Sequence, residues 1–221
     1  MRLRLRLIKP CSGRKLTVWG WVLIFLTVAA GITWWATSVQ HFLSPVSPLP
    51  QARVLMVEGF LPDYALKQAS IEFGTNSYDV LITTGQQITQ GAFLSEYHSL
   101  ADVAYETLKL MGVDTARMYS APAKPVWRDR SVANAEAGFE KLKLMGIKPC
   151  GVNVMSLGPH SRRSWIIYRN VGEKMGFQTG IIAVVDSTYD ERAWWRSSRG
   201  LRAVFSESLG YYYVALFGLS D

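Results

Sequence analysis

Twenty consecutive residues, Leu16 to Trp35, carry no charge and hardly a strong polar group. A helix of that length, rising about 1.5 Å per residue, reaches about 30 Å, the thickness of a bilayer core. The pattern predicts a transmembrane anchor over residues 16–36. Trp19, Trp21, Trp34 and Trp35 lie near its two ends, where indole rings prefer the interface. A cleavable signal peptide is the alternative, since Val28-Ala29-Ala30 resembles a small-residue cleavage site. The prolines of Ser44 to Pro50 favour an extended stalk, so residues 37–52 read as the connection between the anchor and a separate domain.

From Arg53 onward, short apolar runs alternate with stretches of helical period, the rhythm of an α/β domain with a mainly parallel sheet flanked by helices. Strands are expected over Arg53–Glu58, Asp79–Thr84, Arg117–Ala121, Gly151–Leu157 and Thr179–Val185. Phe93, Tyr97, Leu100, Ala104, Leu108 and Met111 recur at three or four, as do Ala135, Phe139, Leu142 and Met145, and both stripes read as core. Gly112 and Gly146 stand where helices are commonly closed. A last helix is expected over Leu201–Leu219, with Val204, Leu209, Tyr212 and Leu216 available for packing.

Composition changes this picture in one respect. The 221 residues carry 24 basic and 17 acidic side chains, a formal net charge of +7. Six of the cations, Arg2, Arg4, Arg6, Lys9, Arg14 and Lys15, fall in a basic segment over residues 1–15, which leaves 18 against 17 in the rest of the chain. The body is nearly neutral, and nucleic acid is disfavoured as a partner. The same cations, with no Lys or Arg from Ala36 to Ala52, place the N-terminus in the cytoplasm. The pattern is that of an inner (plasma) membrane protein of single pass, its domain over residues 53–221 periplasmic or extracellular. Cys11 and Cys150 then lie on opposite sides of the membrane and do not pair.

In an open α/β sheet, ligands bind outside the carboxyl ends of the strands. The segments there contain Glu58-Gly59, Thr84-Gly85, Arg128-Asp129-Arg130-Ser131 leading to Asn134, and Gly158-Pro159-His160-Ser161-Arg162-Arg163. Pro159 suits the first position of a helix, which puts His160, Arg162 and Arg163 in its first turn. The helix dipole disfavours cations there by about 0.3–1 kcal/mol each, and the turn contains no acid. An anion would resolve the conflict, because bare backbone N–H groups and guanidinium forks both suit phosphate oxygens. Arg128 and Arg130, before a helix opened by Ser131, repeat the pattern. Pairing of the arginines with Glu58, Asp63 or Glu96, or simple solvation, is the plainer alternative.

These segments, in this order, resemble the ElyC/SanA/YdcF family of bacterial envelope proteins, from about Arg53 to Phe177. The resemblance rests on Gly59, Thr84 with Gly85, Glu96, Ser131 with Asn134, and His160 with Arg163. The first turn is less glycine-rich than the family's, and Gly-Pro precedes the His-x-x-Arg motif. The resemblance implies a Rossmann-like, doubly wound sheet preceded by one transmembrane helix, and a role in cell-envelope or cell-wall assembly, with phosphorylated lipid-linked precursors as ligands.

Three functions compete. The first is an enzyme, a hydrolase or transferase acting on a phosphorylated or otherwise anionic precursor. Arg128, Arg130, Arg162 and Arg163 would hold the anion, His160 would act as general acid or base, and Glu96 or Glu58 would orient it. The second is a binding module without chemistry. The third is a scaffold of an envelope complex, using the anchor, the stalk, the Trp194-Trp195-Arg196 cluster and Tyr211, Tyr212 and Tyr213. The Gly-x-Gly-x-x-Gly and Gly-x-x-x-x-Gly-Lys fingerprints are missing, which leaves a nucleotide or methyl-donor cofactor open without naming one. His41, His98 and His160 have no metal-ligand spacing.

Overall fold

The computed structural model of the chain describes residues 8–9 and 15–218 apart from Gln90. It separates into two units, Met1–Val39 and Gln40–Asp221. Helix α1 spans Val18–Leu43 and is long and apolar enough to cross a membrane. Thr27, Thr33 and Thr37 donate their hydroxyls to carbonyls four residues back, at 2.9 Å each, so polar side chains within the apolar stretch are satisfied by their own helix.

The second unit begins inside the last turn of α1. Leu43 is buried, Gln40 donates to Glu191 Oε1 at 3.1 Å, and the Tyr189 hydroxyl donates back to Gln40 Oε1 at 3.1 Å. The segment expected to be a stalk is helical to Leu43 and then enters the sheet. Strand β1, Val46–Ser47, pairs antiparallel with Ile182 and Ile181. Pro45 and Pro48 flank it, as suits an edge strand with an unpaired outer side. Asn153 then holds the next residue: its Oδ1 accepts from Leu49 N at 2.8 Å, and its Nδ2 donates to Leu49 O at 3.2 Å.

The remaining strands are β2 (Val54–Glu58), β3 (Val80–Gly85), β4 (Met118–Pro122), β5 (Gly151–Leu157) and β6 (Gln178–Val184). With β1 they form a six-stranded sheet in the order β1-β6-β5-β2-β3-β4, parallel apart from the first pair. Between them run α2 (Asp63–Thr75), α3 (Leu100–Leu110), α4 (Arg130–Leu144) and α5 (Ser161–Lys174), with α6 (Ser198–Phe217) last. Strand β2 is buried over its whole length, as the apolar run Val54 to Val57 at the centre of a parallel sheet should be, and the burial extends to Glu58 at its end.

Alternate residues point to opposite faces. Leu55, Val57 and Leu81 pack with Ala65, Leu66, Phe73 and Leu108 of α2 and α3. Val54, Met56 and Ile82 pack with Phe139 and Leu142 of α4 and Ile167 and Tyr168 of α5. Helices thus cover both faces. Gly112 and Gly146, at φ of 88° and 72°, follow α3 and α4 in the left-handed conformation that closes a helix.

Two stripes differ from expectation. Helix α3 begins at Leu100, because Ser99 caps it by accepting from Asp102 N. Phe93 and Tyr97 therefore lie before the helix, and Phe93 is fully exposed. In α6 only Val204 of the four expected packing residues is buried, while Leu209, Tyr212 and Leu216 are exposed.

Candidate functional site

Strand order reverses around β2, which has β3 on one side and β5 on the other, so the crossovers leaving β2 and β5 diverge and open a crevice at their carboxyl ends. Glu58 ends β2 and Leu157 ends β5. Gly158-Pro159-His160 forms a single tight turn leading directly into α5. Gly158 has φ 41°, and a Cβ there would lie 3.3 Å from Asp186 Cβ. The first turn of α5 contains no acid.

His160 and Arg163 do share a face, and both meet a carboxylate from α6. Arg163 holds Glu207 as a fork, Nε to Oε2 at 2.9 Å and Nη2 to Oε1 at 3.1 Å. His160 Nδ1 lies 2.9 Å from the same Oε1 and 3.0 Å from Arg163 Nη2. A carboxylate only accepts and a guanidinium only donates, so the two contacts of Nδ1 call for opposite tautomers, and together they fix the position of the ring. Nε2 faces Glu58 Oε1 at 4.0 Å, and the ring edge packs on Phe60 at 5.1 Å between centroids. Burial pushes Glu207 up, but the bonds and charges of His160 and Arg163 outweigh it and hold the carboxyl down at about 2.

Glu58 is the opposite case. It is 1% exposed, and burial pushes its carboxyl above the usual range against the charges of His160 and Arg163 and the hydroxyls of Ser156 and Ser164. Ser164 Oγ lies 3.1 Å from each of its oxygens, and Ser156 Oγ donates to Ser164 Oγ at 3.3 Å. One carboxyl retaining its proton to higher pH and another ionised to low pH thus flank one imidazole. That is an arrangement for moving a proton.

The group borders a hollow of about 1150 Å³, whose walls include Gly85, Gln86, Arg130, Ser131, Asn134 and His160. Gln86 ties its two sides, donating to Asn134 Oδ1 at 3.0 Å and to Arg130 O at 3.3 Å. The rim carries Leu209, Tyr213 and Leu216 of α6. A second hollow of about 520 Å³ has Asp186, Arg199 and Arg202 around it and shares Phe60, His160 and Glu207 with the first.

The other residues singled out from sequence are distributed unevenly. Arg128 and Arg130 are exposed, and Arg130 lines the larger hollow. Helix α4 starts at Arg130, with Asp129 in the cap position at φ 54°, two residues before the expected cap Ser131. Arg162 points elsewhere: its Nε donates to Phe42 O at 2.7 Å and its guanidinium stacks on the Phe42 ring at 4.4 Å, covering a last-turn carbonyl of α1. Glu96 is exposed in a separate hollow with Tyr97, His98 and Asp102. Gly59 and Gly85 are there for close approach. Gly59 N donates to Thr84 O at 2.6 Å, and a Cβ on Gly85 would lie 2.6 Å from Ala101 N. Thr84 is buried and shares a 2.8 Å hydrogen bond with the Tyr168 hydroxyl.

Trp194 is buried and Trp195 is 40% exposed. Cys150 is a free thiol at the start of β5, away from the carboxyl edge, and burial pushes it up. Cys11 lies outside the described residues. Among the described residues, no group of three or more His, Cys, Asp or Glu side chains is placed to hold a metal ion.

Glu207 is the member of this cluster that sequence reasoning misses. Its signal is that it is the sole acid of α6, set between Ser206 and Ser208 in an otherwise apolar and basic helix. No family model, curated protein or solved structure matches the chain.

Proposed function

We propose that the chain is a membrane-anchored cell-envelope protein of ElyC/SanA/YdcF type, whose Rossmann-like domain binds a phosphorylated or otherwise anionic ligand in the larger hollow. The single observation that carries this reading is the hollow itself, set at the point of strand reversal with His160 on one wall and the start of α4 on the other. Arg130 and Ser131, in a helix turn free of acids, receive the negative group, with Arg128 beside them. His160, oriented by Glu207 and faced by Glu58, transfers a proton. The apolar rim on α6 accommodates a hydrocarbon portion, in keeping with a lipid-linked precursor. Five parallel strands with helices on both faces support the doubly wound reading. The helix Val18–Leu43 supports an inner-membrane anchor with the N-terminus cytoplasmic, the basic residues setting its direction.

A second reading, a binding module without turnover, is favoured by one observation. Ser164 is fully buried and committed to Glu58, and Ser161 is fully buried as well, so α5 lines the hollow with Arg163 and Ile167 and presents no hydroxyl to it.

The test is calorimetric titration of the detergent-solubilised full chain with inorganic pyrophosphate, alongside native mass measurement for a retained ligand. Binding weakened by Arg130→Gln and unaffected by Arg162→Gln is expected. Recovery of a neutral or cationic ligand, or indifference to Arg130→Gln, overturns the anion reading. Once a substrate is in hand, His160→Gln separates the two readings: turnover lost at intact affinity identifies the enzyme.

A further inference from the structure

Helix α6 is inverted relative to an ordinary surface helix. Its inward strip is made of Gly200, Val204 and Ser208, small side chains four residues apart. Its outward strip is Leu201, Phe205, Leu209, Tyr213 and Leu216, at spacings of four and three, with Leu209 71% and Leu216 75% exposed. An amphipathic helix normally hides such a stripe. Here it runs about 22 Å along the surface at 1.5 Å per residue, longer than scattered exposed residues explain. Leu209, Tyr213 and Leu216 also line the larger hollow, but Leu201 and Phe205 do not, and Phe205 meets the Trp194 ring edge-on at 5.8 Å, so a ligand there does not account for the whole stripe.

Charge and chain continuity identify the cover. Arg192, Arg196, Arg199 and Arg202 are exposed at the beginning of the stripe, and none of them forms a salt bridge among the described residues. After Arg202 the chain has no further Lys or Arg. Basic residues beside an apolar face suit anionic headgroups over an acyl boundary. At the other end Tyr211 packs edge-on against Phe42 at 5.0 Å. The aromatic end of α6 therefore lies beside the point where the chain leaves α1.

We propose that α6 is an in-plane interfacial helix. Its stripe lies in the headgroup and acyl boundary of a bilayer containing anionic phospholipid, with the four arginines on the phosphates. The proposal rests on reading α1 as a membrane anchor, and is independent of which ligand fills the hollow.

The experiment uses the full chain carrying Cys11→Ser and Cys150→Ser, reconstituted in vesicles of phosphatidylethanolamine and phosphatidylglycerol. Single nitroxide labels are placed through Phe205→Cys, Leu216→Cys, Leu110→Cys or Leu144→Cys. The last two sites are 87% and 85% exposed at the far ends of α3 and α4. Power saturation then compares collisions with oxygen and with a water-soluble nickel chelate. The expected result is an oxygen-to-nickel ratio severalfold higher at 205 and 216 than at 110 and 144, corresponding to a depth of about 5–10 Å. Equal ratios at all four sites, in a chain that floats with the vesicles, overturn the proposal. Dipolar broadening between labels at 216 also overturns it, by assigning the stripe to a second copy of the chain. A chain that fails to float refutes the anchor itself, and the docking of α6 falls with it.

Discussion

Replacing Glu207 by glutamine keeps the shape of the side chain and removes the charge on which His160 and Arg163 converge. The carboxyl sits at about 2 instead of the usual 4.5, which corresponds to about 3 kcal/mol in favour of the ionised form. Its side chain is 16% exposed and that of Arg163 25%, so solvent screening takes little of this away. Glutamine also turns an N–H group toward one of two donors. A loss of about 3 kcal/mol is expected for Glu207→Gln at neutral pH, the lower end of what breaking a buried ion pair costs. The carboxyl is depressed in the fold, so its contribution is fully present above 4.5 and is lost as pH falls toward 2. The gap between parent and variant should therefore persist down to about pH 5 and close below that. Urea unfolding of the detergent-solubilised chain, followed by tryptophan fluorescence across that range, measures it. A gap under about 0.5 kcal/mol at pH 7, within what ordinary surface substitutions cause, or one unchanged down to pH 2, refutes the reasoning.

Burial raises the Glu58 carboxyl, so the folded chain binds a proton that the unfolded chain releases, and stability falls as pH rises above 4.5. Glu58→Gln should abolish this part of the pH slope, read by the same unfolding series. Gly85→Ala brings a Cβ within 2.6 Å of Ala101 N and 2.9 Å of Leu100 Cβ, and a loss of about 1–3 kcal/mol is expected in thermal unfolding. Asn153→Leu removes three hydrogen bonds, two to Leu49 and one to the Tyr78 hydroxyl at 2.9 Å. It should cost about 2–3 kcal/mol and speed hydrogen exchange at Leu49 ahead of the sheet centre.

The strands are legible in the sequence because each is a short apolar run whose limits are chemical. β5 spans the expected Gly151–Leu157, and the other four parallel strands are displaced by one residue at each end or at one end. Helix faces are legible where a stripe meets the core, as at Phe139 and Leu142, and misleading where a cap intervenes. Periodicity joins Phe93 and Tyr97 to α3, but the Ser99 hydroxyl accepting from Asp102 N starts the helix later. The expected stalk is extended at Val46 and Ser47. Its pairing with Ile181 and Ile182 has no local sign, since the ladder depends on a strand far along the chain. His160 and Arg163 are legible from spacing alone. Their partner is not, because Glu207 reaches them through the packing of α6 on α5, and spacing within one helix says nothing about another. The outward stripe of α6 is legible as a stripe, but its direction is set only by Gly200, Val204 and Ser208 facing inward.

The neutralised cluster also bears on where the proposed anion would sit. Arg163 and His160 already share one carboxylate, so a ligand that takes Arg163 must first displace Glu207. At about 3 kcal/mol that displacement lowers affinity about 100-fold. On the proposed reading the negative group goes instead to Arg130 and the start of α4, whose first turn contains no acid although Asp129 stands at its cap. Removing the internal anion reverses the balance. Glu207→Gln should tighten pyrophosphate binding, by up to about 100-fold, even as it weakens the fold, a combination that loss of structure alone cannot produce. Titration calorimetry well below the unfolding temperature tests it. Weaker binding in this variant would mean that Glu207 presents Arg163 to the ligand instead of withholding it, and the anion would then belong on α5.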